Sequence, residues 1–274
     1  MAGQKRKSFF QLLSEAISHF VKKGFASQKD LKIWVKTLRE SLEATLPGQK
    51  VSEERVRREL SSIFTRTMTL KSAVTLAPGI TGFTLDKLKP AARKELERRI
   101  FASVNLIKLN REEAVASTLR RFEGWLTSIP EGGSNAVDVK DVKERIRAPM
   151  ASMDFKVRRV LTDQSNKFSQ SLKASIAETS NAIAARWNSQ WQRVNYDYRE
   201  DHKDRDKQVY TIRDNWAIQK GYMKVGPAGY TDAITQPAEE VYCRCTYTYI
   251  YGLRSLPESM LTEKGREFLA RNKK

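Results

Sequence analysis

Residues 153–192 contain neither proline nor glycine, and this constrains the fold more than any other feature of the chain. Within the stretch, Val157, Val160, Leu161, Phe168, Leu172, Ile176, Ile183 and Trp187 recur at helical intervals. Apolar residues spaced three or four apart line one face of a helix. One long amphipathic helix, or two abutting ones, is therefore predicted here, with Trp187 and Trp191 on one face.

The same period runs through the N-terminal half. Phe9, Leu12, Leu13, Ala16, Ile17 and Phe20 predict a helix over 8–23, stopped at Lys22, Lys23 and Gly24. Ser27 is the expected N-cap of a second helix through Leu31, Val35, Leu38 and Leu42, ended by Pro47 and Gly48. A third opens at Ser52, where Glu53 and Glu54 suit the positive end of the helix dipole. Residues 71–87 read as a loop with a short extended segment. Helix resumes after Pro90, and another helix covers about 111–127. Residues 130–135, rich in Pro, Gly and Ser, form the clearest linker. A short charged helix over 138–147 precedes Pro149. After Val194 glycines and prolines return, and the alternation over Thr246–Tyr251 predicts a strand. A last helix spans about 262–271. The expected class is α+β, mostly α: a helical N-terminal bundle, a long helix, and a small irregular C-terminal domain with short strands. The expected division is a helical region over 1–129, a linker and short helix over 130–152, and a C-terminal domain over 153–274.

Charge narrows the partners. The 274 residues carry 50 Lys and Arg against 32 Asp and Glu, net +18 with a pI near 9.9. Residues 1–150 hold 29 basic and 17 acidic side chains, and the remainder 21 and 15, so the excess is not a tail. Such a chain is expected to meet a polyanion, most simply double-stranded DNA, through phosphates and without base readout. The contacting residues are not identifiable from sequence, and solvated basic helices are the plain alternative. No segment approaches the roughly 20 apolar residues of a membrane helix. The basic N-terminus is not followed by an apolar signal core, so a soluble protein made in the cytoplasm is expected.

Scarce residues gather near the C-terminus. Asp197, Arg199 and His202 fall in one short segment, and Glu239, Glu240, Cys243, Arg244 and Cys245 in another. The chain has two histidines and two cysteines, and only His19 lies elsewhere. Two cysteines one residue apart close a strained ring, which argues against a disulfide between them. Thiolate and imidazole are good zinc ligands. His202, Cys243 and Cys245 offer three, and Asp206 is a candidate fourth. A buried thiol pair with His202 hydrogen-bonded to a carboxylate needs no metal. A Cys/His nucleophile or a hydrolytic metal would be catalytic, yet no G-x-S-x-G, H-E-x-x-H or phosphate-binding glycine loop occurs, and no catalytic residue is assigned. Arg199 is expected to pair with Glu239 or Glu240 and so tie the two segments together. On a strand Arg244 would point away from the cysteines, toward a carboxylate such as Asp197 or a phosphate. Tyr230, Tyr242, Tyr247, Tyr249 and Tyr251 are expected to form a half-buried sheet face, with stacking on bases as the alternative.

In order and spacing these residues resemble the C-terminal domain of the phage Mu protein F-like head morphogenesis proteins. The matching elements are Asp197, Arg199 and His202 as D-x-R-x-x-H, then Asp206, a loop with Gly226, Pro227, Gly229 and Pro237, and the acidic-flanked C-R-C at 243–245. Residues 160–164 weakly resemble the family's Ile-Ala-Arg-Thr-Glu. The likeness covers roughly 155–252. Lys207 stands where the family has glycine, and Tyr242 where asparagine is common. The resemblance implies a non-enzymatic minor capsid protein acting in head assembly. Its partners would be portal and capsid or scaffolding proteins, and its place the virion or procapsid interior. Two other readings stay open. One is a metal-dependent nucleic-acid enzyme or toxin-like effector carrying the same module. The other is a generic basic nucleic-acid-binding protein.

Overall fold

The computed structural model describes residues 7–25, 27–46 and 48–272. The basic residues before Lys7 and the expected stop at Pro47 lie outside them. The fold is α+β and mostly α, with one three-stranded antiparallel sheet. The chain forms two compact units, each built from two stretches: 1–55 with 103–160, and 56–102 with 161–274. This differs from the linear division expected above, because the borders fall inside long helices.

The first unit holds α1 (Phe9–Lys23) and α2 (Gln28–Thr45). Ser8 and Gln11 form a reciprocal capping box on α1, and Ser27 caps α2. Phe9, Leu13, Ile17 and Phe20 pack with Leu38, Leu42, Phe122 and Leu126 in one core. Val142 and Ile146 of α6 (Val139–Ala151) complete it. Helix α6 runs through Pro149, which removes the backbone donor to Arg145 O. The Arg121 guanidinium donates to that carbonyl instead, at 2.7 Å. The expected linker at 130–135 is packed against α1. Ser134 N–H donates to Val21 O at 2.8 Å, and a Cβ on Gly133 would lie 2.2 Å from the same oxygen.

Helix α3 (Gln49–Thr67) and α5 (Gly82–Leu126) each contribute to both units. Residues 71–87 are not the predicted loop. They hold α4 (Leu70–Leu76) and the start of α5. Thr69 caps α4, and Thr84 N–H donates to the Thr81 hydroxyl at the entry to α5. These local caps prevail over the β-branched residues that suggested extension. Helix α5 is continuous through Pro90, so the two predicted helices are one.

Helix α7 (Met153–Thr179) stops earlier than periodicity implied. Asn181 takes a left-handed φ of 58°, and Ala182 N–H closes the helix end on Ala177 O. The chain then enters β1 (Ala184–Asn188), so Trp187 lies on a strand and not on a helix shared with Trp191. Strand β1 is central, between β2 (Val209–Thr211) and β3 (Thr246–Ile250). Strand alternation gives the sheet two faces. Ala185, Trp187, Tyr210 and Tyr247 pack with both cysteines. On the other face Ala184, Val209 and Ile250 pack with Met223, Leu253 and Met260. Between β1 and β2 comes the short α8 (Glu200–Asp204), and α9 (Trp216–Gln219) follows β2.

The last helix, α10 (Glu263–Arg271), rests on Tyr222. A Cβ on Gly265 would lie 2.0 Å from Tyr222 O. Alanine normally gains about 1 kcal/mol over glycine inside a helix. Here Gly265→Ala is expected to destabilise by about 1–3 kcal/mol instead, read as a lower denaturant midpoint. Gly252→Ala, with nothing within 4 Å of the added Cβ, serves as the control that should not change it.

Candidate metal centre

His202 sits in the middle of α8, under the edge of Trp187, with ring centroids 5.2 Å apart. Its Nδ1 lies 3.5 Å from Cys243 Sγ and 3.7 Å from Cys245 Sγ. The three donor atoms are within 4.8 Å of one another, and each residue is about 1% exposed. Among the described residues this is the one cluster of three or more His, Cys, Asp or Glu that could hold a metal ion.

The other ring nitrogen faces a carboxylate. His202 Nε2 is 3.3 Å from Glu240 Oε2, and Arg199 Nε is 2.7 Å from the same oxygen. Neither contact is aligned as a good hydrogen bond, but both fall in ion-pair range. Arg199 also donates to Val241 O at 3.1 Å. The two motif segments are thus joined twice, through Arg199 and through His202. A carboxylate 3.3 Å from the far nitrogen favours a proton there, which would leave the near nitrogen as the acceptor.

The cysteine turn is anchored from α7. Asp163 Oδ1 accepts Tyr242 N–H at 2.6 Å, and Asn166 donates to Cys243 O at 2.6 Å. Lys167 balances Asp163 at 3.1 Å. Tyr242 takes φ 63°, which turns the chain so that both sulfurs face His202. Ala238 N–H reaches Cys243 Sγ at 3.4 Å. Hydrogen bonding from Cys245 pulls the Cys243 thiol down to about 6, against burial and with help from Ala238 N–H. The same bond, and then burial, push Cys245 upward.

Four residues singled out from the sequence have other roles or partners than expected. Asp206 is not in the cluster: its Oδ1 accepts Ser189 N–H at 2.8 Å and shapes the exit from β1. Glu239 accepts Gln236 N–H at 2.6 Å and is not the partner of Arg199. Arg244 does point away from the sulfurs, but to tyrosines and not to Asp197. Its guanidinium lies over the Tyr242 ring at 4.6 Å and bonds the Tyr242 hydroxyl. Its N–H donates to Tyr196 OH at 3.1 Å. Asp197 is exposed, and no hydrogen bond or ion pair involves its side chain among the described residues. Asp163, Asn166, Ser189 and Tyr196 were not singled out from sequence. Asp163 falls in the weakly matching 160–164 element, which was the available signal.

No helix of the described residues is long and apolar enough to cross a membrane. Comparison with protein-family models, with curated proteins and with solved structures finds no match.

Lys207 takes φ 64° in the turn that returns α8 to the sheet, and its N–H donates to Trp187 O at 2.8 Å. Left-handed backbone costs an L-residue roughly 1–2 kcal/mol relative to glycine, and a β-branched side chain tolerates it least. Lys207→Val is expected to lower stability in chemical denaturation by about 1 kcal/mol, and Lys207→Gly, which relieves the cost, not to lower it.

Proposed function

We propose that this chain is a phage minor head protein whose C-terminal module is stapled by a zinc ion. The observation that carries the reading is backbone geometry at two departures from the resembled pattern. Lys207 and Tyr242 replace the family's glycine and asparagine, and both are left-handed, at φ 64° and 63°. Glycine and asparagine are the residues that enter this region most readily. The pattern and this backbone therefore agree where the side chains do not.

His202, Cys243 and Cys245 would hold the zinc, and the ion would cross-link segments some forty residues apart. With Zn–S near 2.3 Å and Zn–N near 2.0 Å, a tetrahedral site separates nitrogen from sulfur by roughly 3.5 Å. The separations here are 3.5 and 3.7 Å. Three protein ligands leave one tetrahedral position to be filled by water or another group, and the burial of all three residues restricts the access of a substrate to it. Contact with packaged DNA is supported by α2. Lys29, Lys32, Lys36 and Arg39 are exposed along one side of it, and none has an ion-pair partner among the described residues.

Full-length protein is expected to bind one zinc, and chelation to lower its Tm. Glu240→Gln should weaken zinc affinity about 10–100-fold, the usual cost of losing the carboxylate behind a ligating histidine. An unchanged Tm after verified metal removal would rule out the staple.

The head-protein role is tested by recovering the tagged chain from cells expressing the cognate portal and capsid proteins, after nuclease treatment and in high salt. Portal or capsid protein should be retained. Recovery of nucleic acid alone, and only at low salt, would contradict the assignment.

A further inference from the structure

A cavity of about 440 Å³ lies in the second unit, bordered by α7, by β3 and by the loop 231–239. That volume falls among small-molecule sites, which run roughly 300–1,000 Å³. Gln170, Ser171 and Ala174 line it from α7, and Tyr249 from β3. Spacings of three and four keep the α7 residues on one face of the helix.

Gln170 is out of place in this wall. The residue is 9% exposed, yet its side-chain amide has no hydrogen-bond partner among the described residues. Buried amides are nearly always paired, because an unpaired one forfeits the hydrogen bonds it had in water. The amide is not sealed in, as the hydroxyls of Tyr247 and Tyr251 are. The surface it keeps opens on the cavity it borders. The Tyr249 hydroxyl is likewise unpaired among the described residues and not sealed.

The surroundings narrow what could answer that amide. The nearby cations are already engaged, Arg99 by Glu95 at 2.7 Å and Lys167 by Asp163 at 3.1 Å. Glu178 and Glu239 also border the cavity, so a phosphate or carboxylate would meet like charge there. A purely apolar ligand would leave Gln170 unpaired. The occupant is therefore neutral and polar. Its shape follows from the carboxamide, which holds a donor and an acceptor side by side in one plane. A trans peptide group points its N–H and C=O to opposite sides, and can answer only one of the two. The edge of a nucleobase presents both together, and adenine takes a glutamine amide bidentately. A tyrosine ring adds a surface on which a base can stack.

We infer that this cavity binds a neutral nucleoside, with the base edge paired to the Gln170 carboxamide beside Tyr249. The site is distinct from the phosphate contacts of α2 and does not rest on the head-protein reading.

The test is a titration of full-length protein with adenosine, guanosine, cytidine and uridine. Binding is followed by calorimetry and by NMR of the glutamine side-chain amides, with the Gln170 signal assigned by its loss in Gln170→Leu. Saturable binding of at least one nucleoside is expected, with a shift of the Gln170 amide, and the tightest of the four assigns the base. The matching nucleoside monophosphate should bind more weakly. Gln170→Leu should weaken binding about tenfold, the lower end for a lost bidentate pair, while Tm stays level or rises because the unpaired amide is gone. Ala174→Leu, which narrows the cavity and leaves the amide in place, should weaken binding as well. No saturation by any of the four, a monophosphate as tight as its nucleoside, or equal affinity in Gln170→Leu would overturn the inference.

Discussion

The approach of His202 to Cys243 and Cys245 is the contact on which the C-terminal unit depends. It closes a loop of some forty residues, and closure costs chain entropy that grows slowly with length. Inside that loop lie the β2 strand, α9 and several irregular turns with little repetitive hydrogen bonding. Short strands and scattered turns hold poorly alone. Here they are gathered around three buried side chains, with Arg199 and Glu240 tying the ends from outside. Asp163 and Asn166 carry the same closure back to α7.

Charge is distributed to match. Much of the basic excess on the helices is balanced locally, as in Glu95 with Arg98 and Arg99, or Glu144 with Arg147. Such pairs contribute little stability each, but they leave an uneven surface. Helix α2 keeps a run of exposed cations without an ion-pair partner among the described residues.

Helix periodicity and caps made α1, α2, α10 and the strand at 246–250 legible in the sequence. The same reasoning ran α7 on into β1, because Ile183 and Trp187 continue a helical period. The break lies in backbone conformation at Asn181, which no apolar pattern records. The stretch 71–87 misled in the other direction, where threonine caps outweighed β-branched residues. At the site, scarcity pointed to His202 and the cysteines, and charge to Arg199. Asp206 did not join them, because a spacing of four from His202 implies one face only if the helix continues, and α8 ends at Asp204. Asp163 and Asn166 were hidden because their partners are backbone groups nearly eighty residues away.

The central claim is that His202, Cys243 and Cys245 together hold one zinc ion. X-ray absorption at the zinc edge, on full-length protein purified without added metal, addresses it most directly. The account predicts stoichiometric zinc with two sulfur ligands near 2.3 Å and at least one nitrogen near 2.0 Å. A shell of nitrogen and oxygen without sulfur, or protein that folds stably with no metal bound, would contradict it.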